Sequence, residues 1–247
     1  MNIRKCIASV MQRIKASKNK FSNILALILK MTIGKSMFKQ ELLLRLALKE
    51  KGFNPQKLKI ECNHILGKNY VNNIEFGIKY PDSFYNEAIN LIPDEKIYDF
   101  YFNGNMSKSG ERATMLYPFK NKTNSIIIAS DEGRIQSKKD KFNQEYFSEF
   151  AKSKFGLCPH QADWIGDKAY MWTYRFIEAC FVEAIPVLFR KAPLGNIFTK
   201  GFYYIWDDDV NDNVVYDFSK ANKNKNMAKE RFLFSEKECC QIKETLQ

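Results

Sequence analysis

Residues 153–189 read SKFGLCPHQADWIGDKAYMWTYRFIEACFVEAIPVLF, and the apolar pattern in this stretch decides the fold class. Phe155 to Cys158 is a short, nearly unbroken apolar run closed by Pro159, which predicts a strand. Residues 174–183 predict a helix, with Cys180 inside its apolar pattern. The helix leads straight into a second run at 185–189, IPVLF. A strand, a helix and another buried strand in succession point to a parallel sheet with helices packed on it.

The same alternation extends on both sides. Upstream, residues 96–102 (KIYDFYF) form an aromatic and β-branched run that ends in Asn103, Gly104 and Asn105. A helix is expected from Glu111 to Tyr117. Residues 125–129 (SIIIA) read as a strand buried on both faces of the sheet, and residues 143–152 as a helix. Downstream, residues 202–206 supply a last strand. From about Asp212 the chain is polar and rich in Asn and Lys, with a charged helix expected from Ala228 onward. In the N-terminal part, Ile3, Ile7, Val10, Met11 and Ile14 recur at helical steps, and a run of strong helix formers ends at Gly52. Between Pro55 and Pro93 the signals are mixed: strands near 57–62 and 73–78, then a helix over 83–91. The expected class is α/β, a doubly wound parallel sheet over residues 95–247 preceded by a small, largely helical region at 1–94. Ligands of such sheets bind at the carboxyl ends of the strands.

Composition bounds the function. The 247 residues are 45% hydrophobic and 14% aromatic, well outside the regime in which a chain cannot bury enough apolar surface to offset its conformational entropy. The net charge of +11 favours anionic partners such as phosphorylated substrates, acidic lipid or nucleic acid. Residues 1–40 hold no Asp or Glu but many Lys and Arg. This segment either lies on an anionic membrane or is a solvated face of a packed helix. No CxxC spacing occurs among the six cysteines, as expected in a reducing compartment. No secretory signal is recognisable, and the best apolar window, 24–29, is far too short to span a bilayer. The location expected from these features is cytoplasmic, with peripheral contact at the inner face of a membrane through residues 1–40.

SKFGLCP followed by RFIEA and AIPVLF resembles the exostosin-like glycosyltransferases. In that family a strand ending in Cys-Pro precedes a helix carrying Arg and Glu, a tight turn and an Ile-Pro-Val strand. FYFNGN with Arg112 in the next helix is similar to the family's first strand and basic helix. The likeness covers about residues 97–210. It implies a GT-B-like enzyme with a reduced acceptor lobe at 1–94 and a donor domain at 95–247. The reaction implied is transfer of a sugar from a nucleotide-sugar, UDP-linked by expectation, to a glycan or glycolipid in surface polysaccharide or lipopolysaccharide synthesis. No cofactor or metal is expected. Glu178 would be the ribose-binding carboxylate, Arg175 would sit by the diphosphate or by Glu178, and Arg112 is a second phosphate ligand. A carboxylate suits a ribose diol, and guanidinium groups suit diphosphate oxygens. His160, after Cys158 and Pro159, is either a phosphate donor or acid, or a surface loop residue.

Other features admit plainer accounts. The segment between Pro159 and Arg175 is longer than in the family and carries Trp164, Tyr170, Trp172 and Tyr174, which either shape a sugar site or pack. Glu183 replaces the family's usual small residue, so it is a second functional carboxylate or marks a different turn. Asp207, Asp208 and Asp209 imitate a metal-binding DxD motif but follow a strand into a loop. Gly34-Lys35-Ser36 lacks the first glycine of a phosphate-binding loop. The catalytic base is not identifiable, although Glu61, Glu75 and Asp82 are available. Fucosyltransfer from GDP-fucose is the nearest enzymatic alternative. A basic nucleic-acid-binding protein is the alternative outside the enzymes, although no nucleic-acid motif is present, and a catalytically inactive relative is a further one.

Overall fold

In the computed structural model, the described residues are 39–63, 66–106, 111–122, 124–130, 135–136, 141–159, 172–211 and 213–246. Residues 1–38 and 160–171 lie outside them, and with them the expected membrane-facing segment, Gly34-Lys35-Ser36, His160, Trp164 and Tyr170.

The N-terminal part begins with α1 (Lys39–Glu50), whose Leu43, Leu44, Ala47 and Leu48 repeat at helical spacing and are buried. Gly52, at φ +82°, closes it. Three short strands follow, β1 (Ile60–Asn63), β2 (Lys68–Val71) and β3 (Ile74–Phe76), paired antiparallel in that order. Asn72 and Asn73 make the β2–β3 turn at φ +48° and +68°, the left-handed pair that two-residue hairpins favour. Helix α2 (Asp82–Ile89) completes this part. The expectation of a largely helical region is therefore corrected for residues 39–94. Strands β1 and β3 fall near the expected runs at 57–62 and 73–78, whereas β2 (KNYV) is too short and too polar to give a period-2 signal.

The core of the molecule is a five-stranded, wholly parallel sheet. Its members in chain order are β4 (Tyr98–Gly104), α3 (Glu111–Lys120), β5 (Ser125–Ala129), a two-residue hairpin β6 (Ile135–Gln136) and β7 (Lys141–Phe142) outside the sheet, α4 (Gln144–Ala151), β8 (Ser153–Leu157), α5 (Tyr174–Phe181), β9 (Ile185–Leu188), α6 (Asn196–Thr199) and β10 (Ile205–Trp206). The strand order is β10-β9-β8-β4-β5. Alternation along β4 explains its two covered faces. Phe100 and Phe102 pack with Phe155, Leu157, Ile185 and Val187 under Leu116 and Phe119 of α3. Tyr101 faces the other way, into Phe147 and Phe150 of α4 and the α5 residues Phe176 and Ile177. On that face Gly156 is required by space, because a Cβ there would stand 2.8 Å from the Phe150 ring and 2.9 Å from Ala179.

Two further expectations change. SIIIA forms β5, but at the edge of the sheet and only partly covered, with Ile128 39% exposed. A run of isoleucines shows that a strand wants cover on both faces without showing that it is central. The Asn/Lys-rich segment is helical well before Ala228: α7 spans Phe218–Phe232, capped by Asp217. Its buried Ala221, Asn224, Ala228 and Phe232 mark a narrow stripe, only partly apolar, which composition hides. The chain ends in α8 (Glu236–Glu244), opened by a Ser235/Glu238 capping box. Helix α8 returns to the N-terminal part, where Phe234 and Ile242 share a cluster with Leu44, Val71 and Phe76.

Candidate functional site

The chain leaves β4 for β5 on one side, then crosses to β8 on the other. Helices α3 and α5, which follow these two central strands, thus start on either side of the crevice at their carboxyl ends, the place where parallel α/β sheets hold ligands. Each helix places an arginine there.

Arg175, in the first turn of α5, is 9% exposed. Its Nε donates to the Asn103 carbonyl at 3.1 Å, and its guanidinium stands 4.2 Å over the Phe102 ring. Gly104, at φ +154°, is the last residue of β4, and any Cβ there would overlap the Arg175 guanidinium. Arg112, in the first turn of α3, is 8% exposed and donates through Nη1 to the Asn105 carbonyl at 2.5 Å. The Arg112 Nε is buried and has no hydrogen-bond partner among the described residues. Burial first, and the neighbouring Arg175 charge second, push the Arg112 guanidinium down to about 9. Two cations so placed, one with a spare donor, form an electropositive notch around the backbone of residues 102–105. Phosphoryl or carboxylate oxygens match it in charge and donor geometry. The sequence shows both arginines. It does not show Asn103, Gly104 and Asn105 as their holders, although FNGN at a strand end is a visible glycine signal.

Glu178 lies one turn beyond Arg175 and is fully buried. Tyr80, from the loop before α2, donates to Oε1 at 2.7 Å, and Tyr146 of α4 donates to Oε2 at 2.7 Å. The Tyr101 hydroxyl continues the chain by donating to the Tyr146 carbonyl at 3.2 Å. For Glu178 to accept a ribose diol, both tyrosines would have to release it. Behind the site, burial pushes the thiols of Cys158 and Cys180 well up, which keeps them protonated and unreactive.

No protein-family model matches the chain, and no curated protein is detectably similar to it.

The other candidate residues fall elsewhere. Glu183 sits at the turn between α5 and β9 with φ +54°, at the amino end of the sheet, and is ion-paired with Lys225. Glu183 thus lies at the opposite end of the sheet from the arginines. Asp207, Asp208 and Asp209 form a single 3-10 turn after β10 and all bond Arg190, at 2.9 Å to its backbone N–H and 2.6 and 3.4 Å to its guanidinium. Trp172 stacks on Phe198 with centroids 5.6 Å apart, and its ring meets Tyr174 edge-on. Of the aromatic segment, the two described members are packing residues. Glu61 pairs with Lys59 and Asp82 with Lys51, while Glu75, paired with Lys68, lines a cavity of about 700 Å³. That cavity lies between β2–β3 and the ends of α6, α7 and α8, and shares Phe198 with the Trp172 stack.

Proposed function

We propose that the protein is a glycosyltransferase of GT-B type that takes a nucleotide-sugar, UDP-linked by preference, and transfers its sugar to a glycan or glycolipid of a surface polysaccharide. The observation that carries the proposal is the pair of buried guanidiniums, Arg112 and Arg175, at the carboxyl ends of β4 and β8. A diphosphate is the ligand class that such a notch complements, and the resemblance of residues 153–189 to the exostosin-like enzymes supplies the sugar. In the reaction an acceptor hydroxyl oxygen bonds to the anomeric carbon as the bond from that carbon to the diphosphate oxygen breaks. The electron pair leaves with the diphosphate, and the hydroxyl proton goes to a base. The arginines stabilise the charge that grows on the leaving diphosphate. Of Glu61, Glu75 and Asp82 as the base, Glu75 alone lines the cavity between β2–β3 and the ends of α6, α7 and α8. No helix among the described residues is long and apolar enough to cross a membrane, which is compatible with an enzyme that meets a membrane-bound acceptor from one side.

Calorimetry with UDP, GDP and CMP tests the proposal, using wild type beside Arg175→Met and a DNA duplex as control. Selective nucleotide binding that drops at least tenfold in Arg175→Met, on the order of 1.4 kcal/mol, is the expected result. Preference for GDP would move the reading to fucosyl transfer. Failure of all three nucleotides, together with salt-sensitive DNA binding, would replace it with nucleic-acid binding.

A further inference from the structure

We infer that Glu178 is a positioning residue and not a ribose ligand: together with Tyr80 and Tyr146 it fixes α5 so that Arg175 meets the end of β4. The inference rests on the anion-binding reading of the arginine pair. Three observations support it. Glu178 is fully buried and each of its oxygens accepts a tyrosine hydroxyl at 2.7 Å, so the contacts that a ribose diol would make are made by the protein. The two tyrosines come from different elements, Tyr80 from the loop before α2 and Tyr146 from α4, and Tyr101 of β4 joins through the Tyr146 carbonyl. Glu178 and Arg175 are also three residues apart on one helix, on neighbouring positions of its surface. The network thus ties β4, α4, α5 and the N-terminal part together beside the arginine, whose guanidinium packs so closely on Gly104 that a Cβ there would overlap it. Tyr80 is itself anchored, by its backbone N–H to the Phe232 carbonyl at 2.8 Å and by its ring against Phe181. Buried polar networks of this kind hold a geometry, and losing one member leaves the others without their partner.

Ligand fragments separate the two roles, because pyrophosphate has no ribose and uridine has no phosphate. The full chain is titrated with pyrophosphate, uridine and UDP as wild type, Glu178→Gln, Tyr146→Phe and Tyr80→Phe, with circular dichroism to confirm folding. A positioning role predicts that Glu178→Gln and Tyr146→Phe each weaken pyrophosphate at least about tenfold, the scale of a shift of under an ångström at a binding group, and leave uridine unchanged. If Glu178→Gln fails to fold, the two phenylalanine variants carry the comparison. Unchanged pyrophosphate binding in the folded variants, with weaker UDP and uridine in Glu178→Gln, makes Glu178 the ribose ligand and overturns the inference alone. A wild type that binds no pyrophosphate overturns the anion site, and the inference with it.

Discussion

Burying Arg112 next to Arg175 costs folding free energy, because a guanidinium loses its water and gains a like charge in a site of low dielectric. Its value of about 9 expresses that cost. The unfolded chain holds this proton more tightly, so in the empty protein the group weakens stability at neutral pH, and that penalty begins to shrink only as pH rises through about 9. An anion reverses the balance by favouring the charged form. Two outcomes follow at residue scale. Pyrophosphate affinity should be flat below pH 9 and fall as pH rises through that value, since binding must then take up a proton; calorimetry in buffers of different ionisation enthalpy would show the uptake directly. Arg112→Met should abolish this binding and leave the empty protein as stable as wild type or more so, by on the order of 1 kcal/mol, measured as the midpoint of urea unfolding. A large loss of stability would instead make Arg112 a structural residue. Both arginines were legible in the sequence as basic residues early in helices that follow strands. The tyrosine partners of Glu178 were not, because Tyr80 and Tyr146 come from segments far apart in sequence that only the folded chain brings together.

At the scale of elements, Lys96 shows how the sheet orders its helices. Its ammonium donates at 2.6 Å to the Ala151 carbonyl at the end of α4 and at 2.6 Å to the Val182 carbonyl just after α5. One cation therefore satisfies a carbonyl at the C-terminal end of each of α4 and α5, and complements their dipoles. Burial, its largest influence, brings it down to about 8, with Glu183 opposing the shift and Lys225 adding to it. Between pH 8 and 10.5 the unfolded state binds this proton more than the folded state does, so Lys96 makes stability rise with pH across that window. Lys96→Met, by leaving the Ala151 and Val182 carbonyls without their donor, should lower stability, yet flatten its slope in that window by up to about 1.4 kcal/mol per pH unit, read from urea melts of both proteins at several pH values. Equal slopes would show that Lys96 titrates as it does in water. The elements themselves were largely readable: β4, α4, β8, α5 and β9 fall within a few residues of expectation, because each is a buried run with a clear stop. What misled was context. SIIIA signals burial yet lies on the edge, α7 hides its core stripe among Asn and Lys, and β2–β3 hinge on Asn72-Asn73, a turn signal passed over between short strands.

At the scale of the molecule, the division expected near residue 94 does not separate two independent packing units, because the C-terminal helix belongs with the N-terminal strands. Phe234 meets Phe76 edge-on at 5.5 Å, and Ile242 packs with Leu44 and Val71. Lys79, 2% exposed, donates to the Arg231 and Leu233 carbonyls at 3.1 and 2.9 Å and pairs with Glu238 at 2.7 Å. Burial is the largest influence on Lys79 and lowers it, while Glu238 acts against that shift. Removing Glu238's charge should leave a buried cation without its counter-ion, a change that typically costs about 3 kcal/mol or more when the pair is fully buried. Glu238 is 25% exposed at its side chain, so water softens the loss to about 1–2 kcal/mol here. Hydrogen exchange locates the damage. In Glu238→Gln, and more strongly in a chain cut after Leu233, amides of β2, β3 and α1 should lose protection while those of β4, β8 and β9 keep theirs. Equal loss throughout would mean that both parts unfold as one cooperative unit; no loss anywhere would mean that α8 is an appendage. The expected, graded outcome matters for function, since Tyr80 follows Lys79 directly and reaches Glu178. Loosening the C-terminal helix should therefore weaken pyrophosphate binding at the arginine pair, without any change to a residue that touches the ligand.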